Sequence, residues 1–510
     1  MGAGLVPVRR GVGDVQGHCA STVSPRLAGL VDASEYDVAV VGGGAAGLYV
    51  ATRAAEAGAR TVLVSRKPLA ESSSYWAQGG LAVALAPDDS PARHADDTLN
   101  AGRGLCRPSA VNVLAEEAPG AIAELRNRGV RFDIDASGGL SLGLEGGHSA
   151  RRIVHAGGSE TGRVITAKLS EVAEQTPGLE VREGASVTAL WSNGRRCAGV
   201  VTEGEAIAAR ATVLATGGGA ALWRRTTNPW GAIGAGAVMA LAAGAELADL
   251  ELCQFHPTAL ALPGRPGDGS LITEAVRGEG AKLLDADGER FTDELAPRDQ
   301  VTAAILDRMR ADGTRNVWID LREIPAERFP NVFAACREAG LDPQVEPVPV
   351  SPAAHYLIGG VVTDLDARTS LDGLLAVGEC ACTGLHGANR LASNSLSECF
   401  VFGARAVAAA LQVPAVTDPP ELPEWRFEPP TEVTRDAVWA NAGPVREAES
   451  LERLLEDPYP LARLVARGAI ERRESRGAHR RADFHLADSR LDGIHLVVGA
   501  DGKLRPERWT

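Results

Sequence analysis

The stretch YDVAVVGGGAAGLYVATRAAEAGARTVLVSRK, residues 36–67, decides the fold. An apolar strand, Val38 to Val41, runs into Gly42, Gly44 and Gly47; an alanine-rich helix follows, and a second strand, Thr61 to Val64, closes the unit. Strand, glycines, helix and strand in this order form a dinucleotide-binding βαβ unit: the glycines make the tight turn, let the backbone approach a pyrophosphate and let the helix pack on the strand. The phosphates would lie over Gly42, Gly44, Ala45, Ala46 and Gly47, because the free N–H groups and the dipole of a helix N-terminus favour an anion. The second strand should end in an acidic residue for the adenosine ribose, and here it ends in Ser65, Arg66 and Lys67. Either a hydroxyl holds the ribose, or Arg66 faces a phosphate, or the dinucleotide reading fails at this point.

Two later segments return to the same place. ATVLATGGG, residues 211–219, is an apolar strand followed by glycines, and GLLAVGEC, residues 373–380, is another that closes on Gly378 and Glu379. Ligands of a doubly wound sheet collect outside the carboxyl ends of its strands. Thr216, Gly217 and Glu379 are therefore expected to meet Gly44 around one ligand, and residues 246–354 become an insert that leaves the sheet and comes back.

Composition narrows the ligand. The chain has 510 residues, 45% of them hydrophobic, enough for about three domains with a large core. Lys and Arg total 52 against 66 Asp and Glu, a net charge of −14, which argues against non-specific affinity for nucleic acid or an anionic membrane face and favours a small solute. Eight cysteines are scattered, and only Cys380 and Cys382 lie close together; this is neither a disulfide framework nor a CxxC metal pair, and it predicts a reduced, cytoplasmic setting. No apolar run reaches the roughly 18 residues needed to span a bilayer. Residues 1–33 read as a disordered tail, the Pro-rich stretch 413–430 as a linker, and residues 431–510 as a charged helical segment.

Seven stretches, in order, then carry a resemblance: YWAQGGLAVAL (75–85), EGGHSARRIVHAGG (145–158), QFHPTAL (254–260), LITEAVRGEG (271–280), ELAPRD (294–299), AAHYLIGG (353–360) and GLHGANRLASNSL (384–396), with a weaker echo at RRESRGAHRRAD (472–483). Together they resemble the succinate dehydrogenase and fumarate reductase flavoprotein family over about residues 34–412, and within it the branch that oxidises L-aspartate. The resemblance implies an α/β chain: a doubly wound FAD-binding domain (34–245 and 355–412) interrupted by an α+β capping domain (246–354), with the substrate between cap and flavin. It also implies hydride exchange between a dicarboxylate carbon and FAD, with oxygen or fumarate as electron acceptor, and a product that feeds quinolinate synthase and hence NAD.

The residues fit that chemistry. A four-carbon dicarboxylate needs donors at both ends, and arginine offers a planar fork that lysine lacks; Arg390, His355, His256 and Thr273 supply such a set, with Gln254 beside them. By resemblance Arg298 delivers a proton, with Glu274 and Arg277 as its relay; an arginine, whose pKa exceeds about 12, can act as an acid only through such coupling. Glu145 matches a glutamate that faces the substrate ammonium in the aspartate-oxidising branch, where the dehydrogenase and reductase subunits carry an apolar residue. Its other reading is to cap a following helix or to pair with Arg151 or Arg152.

At the flavin the resemblance places Ser72, Ser73, Gln78, Gly79 and Gly80, and the helix start Asn394, Ser395 and Leu396, whose dipole would favour the charge of reduced flavin. The membrane-complex subunits carry at position 73 a histidine that tethers the flavin; serine there implies a non-covalent cofactor. His148 and His386 sit in motifs and either reach the site or only shape the backbone around it. Ala235 replaces a frequent aspartate, and the loop before Arg298 is shorter than usual. Two other functions stay open: a dehydrogenase-complex subunit passing electrons to an iron–sulfur partner, and a non-catalytic FAD-binding scaffold.

Overall fold

The strand signalled by Val38 to Val41 is longer than its apolar run and spans Val31–Val41. It sits inside a seven-stranded sheet, between Thr61–Ser65 and Ala206–Leu214, with Leu374–Ala376 pairing the far side of Ala206–Leu214; these pairs are all parallel. Val41 pairs with both Val64 and Leu214, and Leu214 with Ala376, so four carboxyl ends finish level with one another. The computed structural model describes residues 31–416 and 419–510; of the tail expected over residues 1–33, residues 1–30 lie outside the described residues and Val31 to Ala33 belong to the first strand instead.

Both faces of this sheet are covered. Val38, Val40, Leu63 and Val213 pack into one core with the helices Ala45–Glu56 and Asn394–Ala410, while Ala39, Val41, Val62 and Leu214 pack into a second with Trp223, Met239, Leu461 and Val465. Near-continuous Val, Leu and Ala runs, rather than an apolar–polar alternation, are what a parallel sheet buried on both faces requires. Tyr49 meets Phe400 edge to face at 5.2 Å where the two helices of the first core cross.

The insert has a core of its own. Cys253–Leu260, Val348–Leu357, Val317–Asp320 and Lys282–Leu284 form a four-stranded antiparallel sheet, and Val301 and Ile305 of the helix Arg298–Asp312 pack on it with Phe333. This sheet runs to Leu357, past the boundary of 354 read from sequence, and Leu247–Ala248 pairs with strands outside it.

The C-terminal segment departs from its reading as helical. Helices occupy Glu432–Asn441 and Pro460–Glu471, but Ile494–Val498 and Leu504–Arg508 form an antiparallel hairpin, and the first of these strands pairs with Leu247–Ala248. The reason is tertiary: His495 to Val498 is buried between the neighbouring strand and the body of the protein, and Gly502, at φ +68°, makes the turn. The expected linker is not free either, since Pro420 accepts from the Trp191 indole and Phe427 N–H donates to Thr188.

Among the described residues no helix is long and apolar enough to cross a membrane. The seven cysteines among them are buried and unpaired.

Candidate active site

A cavity of about 500 Å³ opens at the four level strand ends and runs from the first glycines to the antiparallel sheet of the insert. At one end it is a cradle for a diphosphate. Gly42 has φ +113°, and a Cβ there would come within 2.3 Å of the Ala215 carbonyl; a Cβ on Gly47 would come within 1.8 Å of the Gly42 carbonyl. Gly47 accordingly does not line the cavity but lets the helix Ala45–Glu56 press against the strand end. That helix has no side-chain cap at Gly44, and Ser74 Oγ takes the Ala45 N–H at 3.1 Å.

Ser65, Arg66, Ser72, Ser73, Gln78, Gly79, Gly80, Thr216, Gly217 and Glu379 all line this half of the cavity. Ser65 spends its hydroxyl on the Lys67 carbonyl at 2.6 Å, and Arg66 reaches the Gly231 carbonyl at 3.1 Å. Burial pushes the Glu379 carboxyl up to about 7, against the lowering effect of the Leu357 N–H that it accepts. A slot that starts at a glycine cradle and passes serine, threonine and glutamine side chains on its way to the inserted sheet fits FAD.

The helix Asn394–Ala410 enters from the other side with Ser395 and Leu396 at the cavity. Asn394, read from sequence as a flavin donor, is a correction: its side chain is fully buried away from the cavity, its Oδ1 accepting from His94 Nε2 at 2.8 Å and its Nδ2 donating to Thr98 at 3.1 Å. It ties the helix start to a neighbouring helix, a use that sequence spacing does not reveal.

At the far end five donors converge: Arg298, Arg390, His256, His355 and Thr273 line the cavity. His256 lies on Cys253–Leu260 and His355 on Val348–Leu357, with ring centroids 5.0 Å apart. The register explains His355. Gln254 pairs with Tyr356 and Phe255 with Ala354, so His355 is the extra residue of a bulge, and bulges re-aim side chains. Thr227 then holds its Nδ1 at 2.7 Å. Thr258 N–H donates to His256 Nδ1 at 3.2 Å; a neutral ring so held carries its proton on Nε2. Burial first, and the Arg298 charge second, keep both imidazoles well below their ordinary titration range, hence neutral.

Arg298 is the first residue of the helix Arg298–Asp312, with Pro297 before it, and the next residue, Asp299, is clamped by Arg103 at 2.8 and 3.0 Å. Arg298 donates to Glu274 Oε2 at 2.6 Å and to Gln254 Oε1 at 3.1 Å. Glu274 Oε1 lies 3.3 Å from Arg277 and accepts the Gly146 N–H at 3.0 Å. Burial works to raise the Glu274 carboxyl, but Arg298 and Arg277 outweigh it and hold it below its ordinary value. Glu274 and Arg277 are thus behind Arg298 and off the cavity wall. Gln254 is also off it, which corrects its reading as a substrate ligand: its amide donates to Asn389 and to the Arg390 carbonyl at 2.9 and 2.8 Å, so it sets the two arginines rather than touching the cavity.

Arg390 lies over the Tyr356 ring at 4.6 Å and donates to Ser395 at 3.1 Å, while its buried Nε has no partner. Burial, with Arg298 adding, pushes its guanidinium down to about 10. Behind it, Ala478 of the RRESRGAHRRAD stretch donates to Ala388 at 2.8 Å, and Arg472 of that stretch is buried against Glu251, Asp249 and Glu474.

Glu145 is buried, faces the same cavity, and accepts from Ser393 at 2.6 Å. It does not pair with Arg152, which is engaged by Asp89 and Asp97, and no helix follows it. His148 Nε2 donates to the Ala392 carbonyl and His386 binds Glu398 and Tyr356; neither lines the cavity. Sequence reading missed Ser74, Thr227, Asn228, Tyr356 and Ser393. Of these, Ser393 and Tyr356 stood inside motifs already singled out, whereas Thr227 and Asn228 carried only the signal of a polar loop after the glycines at 217–219.

Comparison with known proteins shows the family. Residues 37–396 match the family described as FAD binding domain, and residues 449–496 the one described as fumarate reductase flavoprotein C-term. The fold matches the FrdA chain of E. coli quinol fumarate reductase with a TM-score of 0.82 and 28% identity, covering 93% of this chain and 96% of that one. Mycobacterium smegmatis Sdh1 gives a TM-score of 0.80 at 29% identity over 93% and 94%. Fold and site define an FAD-binding oxidoreductase of the fumarate reductase flavoprotein class. Sequence relatives narrow it: the L-aspartate oxidase of Streptomyces coelicolor is 43% identical over 92% of each chain, and that of Caulobacter vibrioides is 44% identical over 91% of this chain and 96% of its own. The chain belongs to the L-aspartate oxidase family.

Proposed function

We propose that this chain oxidises L-aspartate to iminoaspartate. The observation that carries the reading is the pairing, at one end of the cavity, of a buried donor set (Arg298, Arg390, His256, His355, Thr273) with the buried carboxylate of Glu145. The donors suit two carboxylates and the carboxylate suits one ammonium; succinate and fumarate have no cation to offer it.

One substrate carboxylate lies on Arg390 and His355, where the unpartnered Arg390 Nε is satisfied, and the other near His256 and Thr273. Neutral imidazoles donate hydrogen bonds without competing for the proton in flight. FAD, when bound, supplies the acceptor for the hydride that leaves Cα. The chain's own work is to orient Cα, to exclude water between the inserted sheet and the strand ends, and to take the ammonium proton. When fumarate serves as acceptor, a proton must be delivered to carbon, and the line Arg298, Glu274, Arg277 is placed for that. The residues 246–354 act as a cap over the substrate, and its motion admits and releases ligands. Ser73 stands at the cavity wall and offers no imidazole for a flavin link, so the cofactor is held non-covalently. Oxygen or fumarate takes the electrons, and iminoaspartate passes to quinolinate synthase and so to NAD.

The test is to mix FAD-loaded protein without oxygen with L-aspartate or with succinate, to follow the flavin absorbance, and then to admit oxygen and assay peroxide. Bleaching by aspartate and peroxide on reoxidation support the reading. Bleaching by succinate alone overturns it in favour of a dehydrogenase subunit.

A further inference from the structure

The two oxygens of Glu145 have different surroundings. Ser393, in left-handed backbone at φ +61°, accepts the Gly80 N–H on its Oγ at 3.2 Å and stands 2.6 Å from Glu145 Oε2. A hydroxyl has one proton, and with Gly80 on its lone-pair side that proton goes to Glu145, fixing the carboxylate. Oε1 is left facing Nε2 of His155 at 3.9 Å. That nitrogen is buried and has no hydrogen-bond partner, yet the His155 side chain as a whole is 16% exposed. The ring is seated against Gly143, where a Cβ would come within 2.8 Å of Cε1.

A buried imidazole nitrogen without a partner is costly unless something visits it. Here it sits behind the Glu145 carboxylate, on a ring that reaches the surface. We propose that His155 is the proton-relay residue for this oxidation: the proton lost by the substrate ammonium passes to Glu145 Oε1 and on to His155, which releases it to solvent.

The inference rests on the reading of the substrate as an amino acid. The balance is simple. The ammonium N–H bond breaks and a carboxyl O–H bond forms; that O–H breaks as the imidazole gains a proton at Nε2, and the ring releases one from Nδ1 to water. Glu145 returns to its carboxylate, His155 is left protonated on Nε2 and regains the Nδ1–H tautomer by proton exchange with water before the next turnover, and the electron pair leaves separately as hydride from Cα. A small rotation of the ring, or one water, closes the 3.9 Å gap.

The charged groups around the relay leave His155 as the exit. Arg277 and Arg390, the cations that act on Glu145, are held inside the protein by burial. Asp133, whose N–H donates to the His155 carbonyl, has its carboxylate taken by the N–H groups of Gly157 and Gly158 at 2.8 and 2.9 Å.

The test uses the FAD-loaded full chain and three variants, His155→Gln, His155→Ala and Gly143→Ala, the last keeping the imidazole but pushing it from its seat. Anaerobic bleaching by L-aspartate is expected to slow about tenfold or more in each. The affinity for succinate, read from flavin absorbance without turnover, stays within about twofold, because succinate has no ammonium. Added imidazole restores His155→Ala in proportion to its concentration, which a purely structural histidine would not allow. Unchanged bleaching in the variants, parallel loss of succinate binding, or absence of imidazole rescue overturns the relay while leaving the oxidase reading intact. A wild-type protein that aspartate does not bleach overturns that reading, and the relay with it.

Discussion

Arg298 Nε donates to Glu274 Oε2 at 2.6 Å, and the other Glu274 oxygen lies 3.3 Å from Arg277. An arginine at a cavity wall with a buried carboxylate behind it can lose and regain a proton without water. Glu274→Gln breaks this line and keeps its shape. Reoxidation of reduced enzyme by fumarate, which needs a proton at carbon, is expected to fall by about 10² or more, while reoxidation by oxygen changes little. Rapid mixing of reduced enzyme with each acceptor measures both; equal losses would show that Glu274 serves only the fold.

Glu145→Gln removes the charge that faces an ammonium and retains the Ser393 hydrogen bond. The apparent affinity for L-aspartate is expected to weaken by about 10-fold to 100-fold, as loss of a charge-assisted contact at a buried site implies. Succinate binds as well or better. Flavin difference spectra for the two ligands, taken on the same preparation, separate these outcomes.

His94 and His148 give the fold an acid limit. Burial, as the leading cause, pushes each imidazole down to about 4 from an ordinary 6.5, and the rings lie 6.2 Å apart between Asp89, Asp97 and Arg152. A depressed folded-state value means that the unfolded chain takes up the proton first. The stability these groups contribute is therefore full above about 6.5 and is lost as pH falls toward 4, by about 3 kcal/mol each. Urea unfolding at pH 7.5 and 5.0 should show the loss, and His94→Gln should flatten it.

Arg472 is enclosed by Glu251 at 2.6 Å, Glu474 at 3.3 Å and Asp249 at 3.4 Å, all buried. Arg472→Ala leaves three acids without their shared cation and is expected to cost about 3–5 kcal/mol. Because this cluster lies behind the Arg390 loop, weakened succinate binding should accompany the lower unfolding midpoint, and thermal melts with and without succinate would show both.

The parallel sheet was legible because its signals are local. Glycine spacing after Val38 to Val41, and glycines after two later apolar strands, state where chain and ligand must approach, whatever the rest does. The C-terminal hairpin was not legible as such: Ile494–Val498 is anchored by pairing with Leu247–Ala248, some 250 residues earlier, and the charged stretch before it favours helix by composition.

The candidate site divides in the same way. Sequence alone determined which residue types were present for a dicarboxylate and a flavin, since arginine, histidine and glycine in such motifs have few other uses. Tertiary structure alone decided their order. A one-residue bulge aimed His355 at the cavity, packing took Asn394 and Gln254 off its wall, and Ser393 was brought to Glu145 from 248 positions away. Distances of that kind depend on strand register and on which buried donor must be satisfied by which acceptor, and these are properties of the whole packed chain.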